Sequence, residues 1–223
     1  DPPPAPAATA QSIYDDLAAL PRPRKHYQRY YTTRDANENM WHASQGIHDF
    51  IRGYYHFKSA DWEGNAPYRL AARTAEEWAK MPNYYIMQLN QGMAETVADV
   101  MPSAGHIASN SWLPDAALRV YAEEYGRTSF QGGLNGYRMG GSRVGAEEVQ
   151  LYAGRTIDQP SMFISGASDW GTYQSPGSFE RMQNVACTDM RAVHLVEGAG
   201  HWVQQEQAET TSQLLLEFLG GLG

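Results

Sequence analysis

The sequence predicts an α/β fold in which a long helical region precedes the closing strands of a sheet. Three observations carry this. From Leu113 back to Ala10 there is hardly a strand-like run, while apolar residues recur there at helical spacing. After Pro160 two short apolar runs, 161–166 and 193–196, read as buried strands that end in glycine-flanked loops. Between the two regions Gly140, Gly141, Gly145 and Gly154 break any long element.

In chain order, residues 1–8 are rich in proline and alanine and read as an extended linker, as if cut from something longer. Residues 11–20 place Ile13, Leu17 and Leu20 on one helical face, and Pro21 and Pro23 stop the helix. The tyrosine-dense run 24–31 reads by itself as an amphipathic surface segment that uses tyrosine as a half-buried residue. Ser44 is the expected N-cap of a helix carrying Ile47, Phe50, Ile51 and Tyr54 at i, i+3, i+4 and i+7. Thr74 caps a shorter helix over 75–81, and 84–100 is mixed, turning helical over 93–101. Asp115 opens a helix with Leu118, Tyr121, Ala122 and Tyr125 on one face. A closing helix over 204–219 carries Thr211, Leu214, Leu215 and Phe218 and covers one face of the sheet.

Composition excludes several classes. Of 223 residues 42% are hydrophobic and 12% aromatic, enough to fill a core. The net charge of −8 and the scattered Lys and Arg leave no basic face for nucleic acid. The single cysteine, Cys187, excludes an internal disulfide, and no Cys/His cluster has zinc spacing. No cofactor or metal is implied. No apolar run is long enough to span a membrane, and the first residues have neither the basic nor the apolar region of a signal peptide. The compartment stays open, with the apparent processing pointing to secretion.

The candidate chemistry sits at the two strand ends. The run 161–170 delivers Asp169 just beyond a strand and a glycine, and the run 193–202 delivers His201 between Gly200 and Trp202. Alone, a histidine after glycine reads as a surface or capping residue, and an aspartate after serine as a turn residue. Together, on neighbouring strands, they form the arrangement in which an acid holds a histidine in one tautomer while the histidine acts as general base. Their order, acid then His, matches the last two members of a nucleophile–acid–His series.

Three motifs carry a resemblance to a known family. Phe130-Gln131-Gly132-Gly133-Leu134-Asn135-Gly136-Tyr137-Arg138 resembles the F-x-G-x-x-N-x-Y-R pattern that closes the helical cap of α/β-hydrolases of the epoxide hydrolase branch. His26-Tyr27-Gln28-Arg29-Tyr30-Tyr31 is similar to the segment that opens that cap, and Gly200-His201-Trp202 with Glu206 is similar to the family's G-H-W-x-x-x-E loop. The resemblance implies the C-terminal portion of an α/β-hydrolase fold with a helical cap: 1–23 linker and lead-in helix, 24–140 cap, 141–223 C-terminal part of the core. It implies Asp169 as the charge-relay acid, His201 as the catalytic base and Tyr27 and Tyr137 as donors to the epoxide oxygen. Gln28 and Trp202 would line the substrate pocket.

The family's oxyanion-hole His-Gly and its nucleophile elbow are not in this sequence: none of the seven histidines precedes a glycine, and no Gly-x-[Ser/Asp/Cys]-x-Gly occurs. The expectation is therefore a hydrolase subunit whose sheet and nucleophile are completed by a separate N-terminal chain of the same precursor. The substrate is a small molecule. With a carboxylate nucleophile it is an epoxide and the two phenols have a purpose; with a serine nucleophile it is a carboxylic ester and they only line a pocket. A halide-releasing relative and a non-catalytic binding fragment are the remaining alternatives.

Overall fold

The computed structural model describes residues 7–140 and 143–222; residues 1–6 of the expected linker, and Gly141, lie outside them. In chain order the elements are α1 (Ala7–Ala19), β1 (Arg24–His26), α2 (Tyr27–Tyr31), α3 (Asp35–Trp41), α4 (Ile47–Lys58), α5 (Ala75–Trp78), β2 (Ile86–Gln88), α6 (Met93–Ala98), α7 (Ala104–Ser109), α8 (Asp115–Thr128), α9 (Gln131–Gly140), α10 (Arg143–Gln150), β3 (Ser161–Gly166), α11 (Ser178–Arg181), β4 (Met190–Val196), α12 (Val203–Glu206) and α13 (Ala208–Gly220). They form two compact units that interleave along the chain. The first holds the residues up to Tyr54 with Thr74–Ser103 and Pro114–Gly154, and the second holds Tyr55–Arg73, Ala104–Leu113 and Arg155–Gly223.

The first unit is mainly helical, but it contains two strands where almost none is expected. β1 and β2 pair antiparallel, with Arg24 opposite Gln88 and His26 opposite Ile86. Each has three residues, too few to leave a period-two pattern. The segment following β1 is likewise not a surface segment: Tyr27, Tyr30 and Tyr31 are all buried, because α2 turns their rings inward against Tyr85 and the other unit-one aromatics. α1 begins at Ala7, inside the expected linker, and buries Ile13 and Leu17. α4 starts after Gly46, whose φ of +79° closes a turn on the Ala43 carbonyl; Ser44 does not cap it, and its hydroxyl faces the Gln45 side chain instead. Thr74 does cap α5, accepting from the Glu77 N–H at 3.3 Å. α6 is closed by Glu95, whose carboxylate accepts the Gly92 N–H at 2.8 Å. α8 buries Leu118 and Ala122 on the expected face.

The second unit is built on β3 and β4, which pair in parallel with Phe163 opposite Val193 and Gly166 opposite Val196. Parallel neighbours need a crossover, and residues 167–189 supply one through a 3₁₀ turn at Trp170–Thr172, α11 and a π turn at Met182–Ala186. The strands are less buried than their apolar character predicts. Only Ser165, Gly166 and Val196 are buried, and Leu195 is exposed, since among the described residues these two strands form a sheet of their own. The expected closing helix is two helices, because Gln207 (φ −132°, ψ 59°) leaves helical geometry between α12 and α13. On α13 Thr211 is buried and Leu215 is exposed. The end of α4 lies in this unit too, where Asn65 Nδ2 donates to the carbonyls of Phe57 and Ser59 at 3.0 and 2.6 Å. No helix among the described residues is long and apolar enough to cross a membrane.

Candidate active site

In the second unit the parallel register brings the two strand ends side by side, and backbone bonds zip the loops that leave them. Ala167 N–H donates to Val196 and Ser168 N–H to Ala199, each at 2.9 Å. The fit depends on Gly166: a Cβ there would sit 2.2 Å from the carbonyl oxygens of Ala199 and Gly200. Gly198, at φ +71°, turns the chain at the end of β4, as a glycine can at little cost. The result is that Asp169 Oδ2 lies 3.1 Å from His201 Nδ1, while Asp169 Oδ1 accepts the Gly171 N–H at 2.7 Å. The carboxylate is largely buried and the imidazole about one-third exposed, their side-chain exposures being 12% and 35%.

Burial alone raises the Asp169 pKa, but the hydrogen bond and charge of His201, the Gly171 N–H and the Lys58 charge together outweigh it, so the carboxyl lies below the ordinary range. An ionised carboxylate only accepts, so the proton between the pair belongs to His201 Nδ1, and Nε2 is left as the basic nitrogen. The arrangement is that of an oriented general base. Lys58, a residue with no signal in the sequence pattern, is buried in the same unit with its ammonium 5.5 Å from the Trp202 ring centre. Trp202 itself is occupied structurally: its indole N–H donates to the Tyr55 carbonyl at 2.9 Å, and its ring stacks on Tyr55 at 4.1 Å.

The first unit gathers a cluster of phenols. Tyr27 and Tyr137 have ring centroids 6.0 Å apart, and Tyr31 lies 5.5 Å from Tyr27 and 5.0 Å from Tyr137. The Tyr31 hydroxyl donates to that of Tyr54 at 3.2 Å. α9 is docked onto α2 by Arg138, whose guanidinium donates to the Thr32 and Thr33 carbonyls at 3.2 and 3.0 Å. A cation there satisfies carbonyls that a helix C-terminus leaves open. Burial pushes Tyr137 above the usual phenol pKa, with a hydrogen bond to Tyr27 drawing it partly back, and burial also raises Tyr31 and Tyr54. Such phenols stay protonated near neutral pH and remain donors. Gln28 is exposed, with its amide nitrogen 3.3 Å from the Tyr27 hydroxyl.

Asp169 and His201 are thus together in one unit, and Tyr27 and Tyr137 together in the other. The reading of the sequence missed Lys58, Tyr31 and Tyr54, and gave Arg138 and Glu206 no task although both stand in the quoted motifs. The motifs were the signal for those two and for Tyr31; Tyr54 stood only in a packing stripe, and nothing marked Lys58.

No protein-family model matches the chain. Over 112 residues it is 35% identical to Epoxide hydrolase B and 39% identical to Epoxide hydrolase A, both of Mycobacterium tuberculosis. Each match covers 50% of this chain, but only 31% and 33% of those proteins, so the matched stretch spans about a third of their length. A solved epoxide hydrolase from an endophytic Streptomyces superimposes on 94% of this chain and 56% of its own, with a TM-score of 0.69 and 26% identity. In sequence over half its length and in fold over nearly all of it, this chain is therefore similar to the epoxide hydrolases, a branch of the α/β-hydrolase superfamily.

Proposed function

We propose that the chain supplies the cap, the catalytic acid and the catalytic histidine to a two-step covalent hydrolysis of an epoxide. A carboxylate nucleophile and the oxyanion hole come from a separate N-terminal chain of the same precursor. The observation that carries the epoxide reading is the hydrogen-bonded phenol pair Tyr27 and Tyr137, in which burial holds the Tyr137 hydroxyl protonated. In the first step a carboxylate oxygen attacks a ring carbon, the C–O bond breaks, and the ring oxygen receives a proton from a phenol. In the second, His201 takes a proton from water, and the hydroxide attacks the ester carbonyl, releasing the diol and the carboxylate. The imidazolium proton then returns through solvent to the phenolate. An ester substrate would leave the phenols without a task in the chemistry, since backbone N–H groups receive its oxyanion.

The test is the single-turnover rate of enzyme alkylation in Tyr27→Phe and Tyr137→Phe. Phenylalanine keeps the ring packing, so both variants fold, and alkylation slows by about a hundredfold to a thousandfold, the loss seen for a preorganised donor. Near-parental rates in both variants would remove the epoxide reading and favour an ester. His201→Ala is expected to trap the covalent intermediate, because an ionised carboxylate needs no base to attack.

A further inference from the structure

Glu206 ends the short helix α12 and its side chain reaches back over the loop that carries His201. Its Oε2 accepts the N–H of Ala60 at 2.8 Å and of Gly200 at 3.0 Å, and its Oε1 accepts the N–H of Trp202 at 3.0 Å. The amide between the two loop donors, that of His201 itself, donates to the Lys58 carbonyl at 2.9 Å. Three successive amides, 200 to 202, are therefore fixed, and one carboxylate joins the loop after β4 to the turn after α4. The join is tight. A Cβ on Gly200 would come within 2.6 Å of the Lys58 carbonyl oxygen and 2.8 Å of the Ala60 nitrogen.

Burying a carboxylate is costly, and here burial raises the Glu206 pKa against the three N–H donors that lower it. A glutamine of the same shape escapes that cost but presents only one oxygen, so it cannot accept at both ends of the loop. The position thus sets a buried charge against the geometry of the His201 backbone. We propose that Glu206 is a positioning residue for His201, holding its backbone so that the imidazole meets Asp169 on one side and the attacking water on the other. This rests on the epoxide reading above for the water, but not for the clamp.

Glu206→Gln and Glu206→Ala test it through two independent readouts. The first is amide hydrogen exchange at Gly200, His201 and Trp202. Losing acceptors to a charged group accelerates local exchange by about tenfold in the glutamine variant and about a hundredfold in the alanine variant. The second separates the steps of turnover: alkylation by the epoxide stays at the parental rate, while hydrolysis of the intermediate, the step that needs His201, slows by about tenfold or more. The glutamine variant keeps its urea midpoint, so the effect is not unfolding. Exchange within twofold of parental in both variants overturns the proposal, as does alkylation slowed as much as hydrolysis. If the parental protein is not alkylated by epoxides at all, the function proposed above fails, and the exchange rates alone decide the clamp.

Discussion

Lys58 carries a buried ammonium, 6% exposed, in the same unit as Asp169, whose charge acts on it. Burial pushes its pKa down from 10.5 to about 8, and the Asp169 charge recovers only part of that. The unfolded chain therefore binds the proton more tightly than the folded one. The penalty is largely present at pH 7, is relieved as pH rises from about 8 to 10.5, and amounts to something on the order of 3 kcal/mol. Lys58→Met is accordingly expected to stabilise the fold at pH 7, with the gain vanishing by about pH 10.5, as read from urea unfolding of both proteins at each pH. None of this was legible in the sequence, where Lys58 follows a helical stripe and looks like a solvated last-turn cation. Only the fold brings it to the 200–202 loop, where the His201 N–H donates to its carbonyl and the Trp202 ring lies 5.5 Å from its ammonium. Asp169 and His201 were legible, because each stands one short loop beyond an apolar run, and strand ends at a common edge are where the fold class places reactive side chains.

At the scale of elements, the loop between β4 and α12 turns on Gly200, which has no room for a side chain, while the glycines of α8 and α9 have open space around them. Gly200→Ala drives a methyl into the Lys58–Ala60 backbone, which has no flexible side chain to give way. A cost of about 1–3 kcal/mol in unfolding free energy is expected, with the Asp169–His201 contact lengthened. Gly126→Ala, inside α8 with nothing within 4 Å of its Cβ position, is expected to stabilise by about 0.5–1 kcal/mol. Denaturant titration of the two variants side by side checks both signs; equal effects would mean that the loop yields. The period of the closing helix was readable from Thr211 and its apolar neighbours, but not the break at Gln207. No Gly or Pro marks it, and the Gln207 amide instead donates to the Gly198 carbonyl at 3.2 Å.

At the scale of the molecule, the second unit exposes apolar residues that a closed sheet layer would cover. Leu195 on β4 and Leu215, Leu216 and Leu219 on α13 are exposed, the last two by 68% and 60%. Among the described residues the sheet has two strands, and a sheet so small with exposed apolar residues in its unit invites pairing with further strands. On the function proposed above, the N-terminal chain covers it. Leu216→Lys with Leu219→Lys is then expected to weaken association of the two chains by about a hundredfold to ten-thousandfold, since each buried leucine contributes about 1.5–3 kcal/mol. Sedimentation of the co-purified chains measures this, and a parental chain that sediments alone as a cooperatively folding monomer would contradict it.

The sequence by itself determined the features that are local or periodic. These are the cap at Thr74, the stripes of α4 and α8, the helical turn of the chain after residue 92, the two late strands with Asp169 and His201 at their ends, and the motif that holds Tyr137 and Arg138. Only the tertiary structure decided what depends on partners distant in the chain. The β1–β2 pair closes across some sixty residues, and Glu206 reaches Ala60 across 146. Tyr27 and Tyr31 of α2 meet Tyr137 of α9, which Arg138 ties to α2 from more than a hundred residues away. A three-residue strand, a buried lysine and a broken helix leave no periodic trace, because the free energy that selects each comes from backbone groups and packing surfaces that meet only once the chain has folded.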